Sequence, residues 1–179
     1  MIQEELISSV SRYVFAEDGA TTYAVLDGAS VPDLLDKLYS QLPEFVCLYR
    51  GEQEPDMAEV APYLVRLDPD SEFSDWLIGR GWGNQWGIFA QSRADIRAMR
   101  RHLRGLLVVY DADGRPLRFR YYDPRVLRKY LPTCNAEELG VIFGPVACYT
   151  VEDESPNTLL RFSLESGSLR QEKIRSADR

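Results

Sequence analysis

The chain of 179 residues is long enough to bury a core of its own, and its 45% hydrophobic and 11% aromatic content is typical of a globular domain. Three Cys and a single His argue against a closed disulfide framework and exclude a His-rich metal site. The net charge of −7 hides a basic island, because residues 93–129 carry ten Arg and one Lys against four Asp.

No apolar run approaches the roughly 20 residues that a membrane span needs. Glu4 and Glu5 occupy the place where a signal peptide carries basic residues, so we expect a cytoplasmic protein with no membrane partner. The basic island either binds an acidic partner or pairs with carboxylates of the chain itself, and the sequence leaves both alternatives open. A pI near 4.8 weighs against a nucleic-acid partner, because the overall field repels phosphate.

The spacing of apolar residues predicts strands interleaved with helices along the chain. In chain order the predicted elements are a helix over residues 2–16, a strand over 23–26, a helix over 30–42, strands over 45–49 and 61–67, a helix over 71–81, a strand from 87, a helix capped by Ser92 over 92–104, a central strand over 106–110, a strand over 117–122, helices over 123–132 and 135–143, and strands over 146–151 and 158–164. This order predicts a single α/β domain with a mixed β-sheet and flanking helices.

The predicted domain boundaries follow from composition. Residues 1–20 are interpreted as an N-terminal helix and linker, and residues 21–164 as the α/β domain. Residues 165–179 are polar and charged with little apolar content, so we expect a disordered tail.

The basic island contains a predicted strand that turns directly into a helix. Apolar and cationic residues alternate along this strand, which predicts one face on the core and an open face bearing Arg118, Arg120 and Tyr122. Asp123 followed by Pro124 is typical of a helix start, with the Asp side chain as cap and the proline in the first turn. Forked guanidinium groups and flat aromatic rings are typical of interface hot spots. The candidate partner-binding residues are Arg118, Arg120, Tyr122, Arg125, Arg128, Tyr130 and Trp82.

A glycine-rich segment with two tryptophans lies at residues 81–87. Gly81 and Gly83 lack the third glycine of a dinucleotide-binding loop, and the segment follows a helix rather than a strand. We therefore interpret it as a tight turn held by its tryptophans. The residues assigned a structural role are Asp27, Gly28, Gly81, Gly83, Trp86, Asp123 and Pro124.

The sequence contains no hydrolase, metalloprotease or nucleotide-binding motif. Asp27 and Asp123 are conceivable as paired catalytic carboxylates, which leaves a small hydrolase or transferase as an alternative, although both residues fit a turn and a cap better. A second alternative is a nucleic-acid binder on the helix over residues 93–104. We predict a binding protein without catalytic residues, metal or cofactor.

An ordered set of motifs carries a resemblance to a known family. The motifs are Tyr-Ala-Val-Leu-Asp-Gly-Ala at 23–29, Leu-Tyr-Arg-Gly at 48–51, Ala-Pro-Tyr-Leu-Val at 61–65, the glycine and tryptophan segment at 81–89, Arg-Arg-His-Leu-Arg at 100–104, residues 119–127, Leu-Pro at 131–132 and Phe-Gly-Pro-Val at 143–146. In this order they resemble the type VI secretion effector-associated chaperones, also called adaptors, over most of the chain.

The resemblance implies a cytoplasmic, non-enzymatic chaperone that binds a type VI secretion effector and helps load it onto the VgrG spike protein. Its expected partners are the cognate effector and VgrG. The family supplies no set of catalytic residues, so its motif positions carry over only as structural or partner-contact candidates. Many members extend further at the C-terminal end, and the resemblance leaves open whether a segment that selects the effector is missing here or supplied by another protein.

Overall fold

A computed structural model describes residues 2–155 and 157–175 of the chain. The helices are α1 (Ile2–Val14), α2 (Leu34–Gln41), α3 (Pro55–Val60), α4 (Glu72–Gly81), α5 (Ile96–Gly105), α6 (Pro124–Tyr130), with a 3₁₀ turn at Leu131–Thr133, and α7 (Ala136–Phe143). The strands are β1 (Thr21–Asp27), β2 (Phe45–Cys47), β3 (Pro62–Leu67), β4 (Gly87–Ser92), β5 (Val108–Tyr110), β6 (Pro116–Arg118), β7 (Val146–Glu152), β8 (Thr158–Glu165) and β9 (Ser168–Arg175). The prediction of a single domain of α/β content is confirmed.

Seven strands form one sheet in the order β2-β3-β1-β4-β7-β8-β9, and β5 and β6 form a separate hairpin. Every described strand pair is antiparallel, so the sheet is antiparallel where the alternation of strands and helices predicts mixed pairing. Helix α2 connects β1 to β2, and α4 connects β3 to β4, but neither pair is adjacent in the sheet. One antiparallel strand lies between the members of each pair, so the helical connections produce no parallel neighbours.

The sheet separates two hydrophobic cores, because successive strand residues point to opposite faces. On β1, Tyr23 and Val25 join the core that contains α5, α6 and α7. Ala24 and Leu26 join the core that contains α1, α2 and α4. The sheet is thus a middle layer between two layers of helices, and both β1 and the central strand β4 are buried on both faces.

Residues 168–175 of the predicted tail form a strand, and the prediction of disorder is wrong for them. Residues 168–175 form β9, which pairs with β8 from Glu165↔Ser168 to Thr158↔Arg175. Ser166 and Gly167 make the turn with φ values of 51° and 81°, the positive pair that a tight hairpin requires. Leu169 packs against one core and Ile174 against the other. The last four residues of the predicted tail, 176–179, lie outside the described residues.

Two predictions on either side of α5 are also corrected. Ser92 is the last residue of β4, where its Oγ donates to the Pro145 carbonyl at 2.6 Å, and Asp95 caps α5 by accepting from the Ala98 N–H at 2.9 Å. The predicted central strand over residues 106–110 is confined to Val108–Tyr110 in the small hairpin. Leu106 and Leu107 lie in the turn that follows α5, where both are buried.

Within 2–155 and 157–175, no helix is long and apolar enough to cross a membrane. No group of three or more His, Cys, Asp or Glu in those ranges could hold a metal ion. Cys47, Cys134 and Cys148 are free thiols, and burial raises the pKa of each.

Candidate functional site

The predicted strand-to-helix segment is an inward turn rather than a continuous strand. β6 ends at Arg118, and Tyr121 and Tyr122 are both buried in the turn before α6. The alternation of faces therefore stops after Phe119, and Tyr122 does not share an open face with Arg118 and Arg120. We call residues 119–130 the corner.

Asp123 holds the start of α6, as predicted. Its Oδ1 accepts from the Arg125 N–H and from Arg125 Nε, both at 2.9 Å, and its Oδ2 accepts from Arg125 Nη2 at 2.8 Å. Pro124 lies in the first turn, where its missing N–H leaves no bond unmade. Burial favours a higher pKa for Asp123, but the hydrogen bonds and charge of Arg125 outweigh it and lower the pKa.

Asp27 joins the end of β1 to the corner. Its carboxylate is 2% exposed and accepts from Ser30 Oγ at 2.9 Å, from the Ala29 N–H at 3.2 Å and from Arg120 Nη2. Burial would lower the pKa of Arg120, and the charge and hydrogen bond of Asp27 reverse that effect and raise it. The Ser30 hydroxyl is therefore occupied by Asp27 rather than capping a helix, and α2 starts only at Leu34.

Gly28 lets two chain segments meet directly beside Asp27. Its N–H donates to the Ala61 carbonyl at 3.0 Å. A Cβ at this position would lie 2.5 Å from the same carbonyl oxygen and 2.6 Å from that of Glu59. A side chain at residue 28 would therefore force the loop after α3 away from β1.

The glycine and tryptophan segment is a tight turn between α4 and β4, as predicted. Trp86 packs against Gly81, where an added Cβ would lie 2.7 Å from the indole ring. Trp82 stacks on Phe89 with ring centroids 6.3 Å apart. Gly83 has a φ of 91°, in the region that favours glycine.

A buried carboxylate fixes this turn to the sheet and to the corner. Glu152 of β7 is 5% exposed and accepts from the Gln85 N–H at 3.2 Å and from Gln85 Nε2 at 2.8 Å. Arg128 of α6 donates from Nη1 to the Glu152 carbonyl at 3.1 Å. Burial raises the pKa of Glu152 to about 7, although the N–H groups of Gln85 and Gly83 and the charge of Arg128 oppose the rise.

Most of the candidate partner-binding residues therefore make contacts inside the molecule. Arg120, Arg125 and Arg128 are held by the acidic or carbonyl partners described above. Tyr122 is 3% exposed, and the ring of Tyr130 lies 4.7 Å from that of Phe119. The side chain of Arg118 instead projects over the ring of Tyr49 at 5.4 Å, outside the corner.

The corner has the properties of a structural junction. Asp27 and Asp123 are each buried and bound to a guanidinium group. The cavity beside Glu152 has a volume of about 10 Å³, which is too small for a substrate. The arrangement fixes β1, the tryptophan turn and α6 relative to one another.

A second cluster of arginines lies on α5 and in the loop that follows β2. One side of α5 carries Arg97, Arg100, Arg101 and Arg104, because the pairs 97/100 and 101/104 are three residues apart and the pairs 97/101 and 100/104 are four apart. Together with Arg50 they line an open cavity of about 580 Å³. None of these five takes part in an ion pair among the described residues. We call this cavity the arginine groove.

Arg104 forms the floor of the arginine groove. Its Nε donates to the Leu48 carbonyl at 2.8 Å, and its Nη2 donates to the carbonyls of Tyr49 at 2.9 Å and Cys47 at 3.1 Å. Burial lowers the pKa of Arg104, and the neighbouring charges of Arg100 and Arg50 lower it further. The cluster is therefore a concentration of positive charge. Carbonyl oxygens offset part of this charge, and no described carboxylate forms an ion pair with it.

An apolar pocket of about 220 Å³ continues from the arginine groove, with which it shares Arg50 and Arg104. The other lining residues are Leu48, Tyr49, Leu107, Val108, Arg118 and Tyr122. Val108, Tyr110 and Leu117 of the adjoining hairpin are 46%, 70% and 50% exposed. The groove and the pocket thus form one surface that combines positive charge with exposed apolar side chains.

Sequence reasoning found only part of this surface. The helical spacing of the α5 arginines and the basic island were both visible in the sequence. No sequence signal placed Arg50 or Tyr49 beside α5, because the contact joins residues about fifty positions apart, as the Arg104 bond to Leu48 does. No local signal separates the two clusters, because Asp95 stands two residues before Arg97 just as Asp123 stands two residues before Arg125.

A comparison with protein-family models matches residues 22–140 to the family described as "Domain of unknown function (DUF4123)". The matched region runs from β1 into α7 and includes both the corner and the arginine groove. Searches of curated proteins and of solved structures gave no significant match. Because the family model covers well over half of the 179 residues, the chain belongs to the DUF4123 family.

Proposed function

We propose that this protein is an adaptor chaperone that binds a type VI secretion effector in the cytoplasm and assists its loading onto the VgrG spike protein. The identity of the two partners, the effector and VgrG, comes from the resemblance of the ordered motifs to the effector-associated chaperones. Membership of a family that spans residues 22–140 is consistent with it.

The single observation that carries the proposal is the combination of the arginine groove with the exposed hairpin. Five arginines without an ion pair among the described residues lie next to apolar side chains that are up to 70% exposed. Arginine and aromatic residues dominate the binding energy of protein interfaces, and exposed apolar patches commonly mark such interfaces. The surface thus has the residue types that a protein partner uses.

The catalytic alternative receives less support from the geometry. An acid or base that acts on a substrate needs access to it, and the carboxylates of Asp27 and Asp123 are 2% and 5% exposed. Both are also engaged by arginine side chains. We therefore propose a non-enzymatic function.

Co-expression tests the proposal. The protein would be produced with the product of the adjacent effector gene and, separately, with VgrG, and co-purification and effector solubility would be measured. We expect the effector to be soluble only when it is co-expressed with this protein, and to co-purify with it. A non-cognate effector is the negative control. If the protein retains neither the effector nor VgrG, the proposal is wrong.

A further inference from the structure

We propose that the arginine groove and its apolar pocket bind an acidic peptide segment of the partner protein, with an aromatic or aliphatic side chain of that segment in the pocket. The inference rests on the proposed function only for the identity of the partner. The chemistry of the segment follows from the charges, the volumes and the exposed residues of this surface.

The charge of the groove selects carboxylates. Arg50, Arg97 and Arg101 are exposed, so their guanidinium groups can turn toward a ligand without leaving an internal partner. A guanidinium group binds a carboxylate through two parallel hydrogen bonds, which makes a compact cluster of arginines complementary to a short run of Asp and Glu. Repulsion among the arginines is relieved when such a segment binds.

The acidic residues of the chain do not fill the groove. Glu52, Glu54 and Asp56 follow Arg50 directly in the sequence, yet no described ion pair joins any of them to an arginine of the groove. In the same molecule Arg125 and Arg161 do find carboxylates, each at 2.8 Å. The groove is thus a site of unsatisfied charge in a chain that has acids in excess.

The pocket beside the groove selects the second component of the ligand. Small-molecule sites usually have volumes of about 300 to 1,000 Å³ and enclose their ligand. The pocket of about 220 Å³ is smaller, and Leu48, Leu107 and Tyr122 give it apolar walls. Such a pocket accommodates a side chain of a peptide whose acidic residues lie along the groove.

Nucleic acid fits this surface less well than a peptide. A nucleic acid carries a phosphate on every nucleotide, so a continuous basic track along the surface favours its binding. The arginines occupy about two turns of one short helix rather than a track along the surface. Nucleic acid is retained as an outcome of the experiment.

The experiment uses fluorescence anisotropy with a labelled peptide of alternating Glu and Asp around a central Trp. Three comparison probes are the same peptide with Gln and Asn for the acids, the acidic peptide with Ala for Trp, and a mixed-sequence single-stranded DNA. We expect the acidic peptide to bind at low salt, binding to fall as salt rises, and both peptide changes to weaken it.

The variant Arg97→Ala/Arg101→Ala tests the location of the site. Both side chains are exposed and make no described ion pair, so the fold should be unchanged, as circular dichroism can verify. The matched control Arg12→Ala/Arg80→Ala removes the same charge from exposed positions outside the groove and the hairpin, and neither side chain makes a described ion pair. We expect the first variant to bind the acidic peptide about tenfold more weakly and the control to bind like the wild type.

Three results would overturn the inference: equal binding of the acidic and neutral peptides, equal losses in the two double variants, or preference for DNA over the acidic peptide. Failure here is separable from failure of the proposed function. An effector that co-purifies equally well with the groove variant leaves the chaperone function standing and removes the groove as its site. If the protein binds the acidic peptide but no effector, the ligand chemistry of the groove stands and the proposed chaperone function is wrong.

Discussion

The corner and the arginine groove use the same residue type for opposite purposes. In the corner, Arg120 and Arg125 meet the carboxylates of Asp27 and Asp123, which are almost fully buried. In the groove, Arg97 and Arg101 meet solvent and other arginines. The difference teaches that the arginine content of a segment does not identify a binding surface; the position of the acidic side chains does.

Replacement of Asp27 by Ala should have the largest effect on stability. It removes the acceptor for Arg120, Ser30 and the Ala29 N–H at once, in a position that is 2% exposed. We expect a loss of about 2–4 kcal/mol in the free energy of unfolding, measured by urea denaturation. Asp27→Asn, which keeps an acceptor without the charge, should lose less. Equal stability of Asp27→Ala and wild type would show that the corner is not a stabilising junction.

Replacement of Glu152 by Gln should remove a pH dependence. The carboxyl titrates near 7 in the folded protein, above its usual value of 4.5, so the folded state holds an extra proton between these values. Wild-type stability should therefore fall by about 2 kcal/mol as pH rises from 5 to 8, relative to Glu152→Gln. Urea denaturation of both proteins across this range measures it. Parallel pH profiles would contradict the assignment.

Replacement of Asp123 by Ala should cost about 1–2 kcal/mol, because α6 loses its cap and Arg125 loses its partner. Asp123→Asn keeps a cap acceptor and separates the two contributions. Thermal or urea unfolding gives the comparison. A wild-type free energy of unfolding in the Ala variant would mean that the helix start is held by packing alone.

The groove variant Arg97→Ala/Arg101→Ala should change stability least. Exposed residues without partners contribute little, so the free energy of unfolding should stay within about 0.5 kcal/mol of wild type. Any change should be a gain, since like charges near Arg100 and Arg104 are removed. A loss of stability as large as that of Asp123→Ala would show that these arginines stabilise the fold as those of the corner do. The contrast between the two regions would then be wrong.

Local signals predicted much of the fold. The cap of α6 depends on Asp123 and Pro124, which are adjacent in the sequence, and the capping box of α7 joins Asn135 to Glu138. The strand conformation of β1 was predicted from its own apolar side chains. Elements of this kind are decided by neighbours within a turn, so the sequence contains the information.

Features that depend on distant residues were missed. The strand β9 has few apolar residues and exists because β8 supplies its hydrogen bonds, although Ser166-Gly167 is a recognisable hairpin signal. The internal pairing of Arg120 joins positions 93 residues apart. The candidate surface shifted from the corner to the groove for this reason, since only tertiary contacts decide which arginines remain free.

The charge asymmetry of the molecule also has a kinetic consequence. A negatively charged molecule that approaches this protein of net charge −7 is repelled from most directions and attracted toward the arginine groove. Such a field orients two molecules before they touch and raises the rate of productive encounters. The acidic remainder of the chain thus favours one docking orientation by making the others unfavourable.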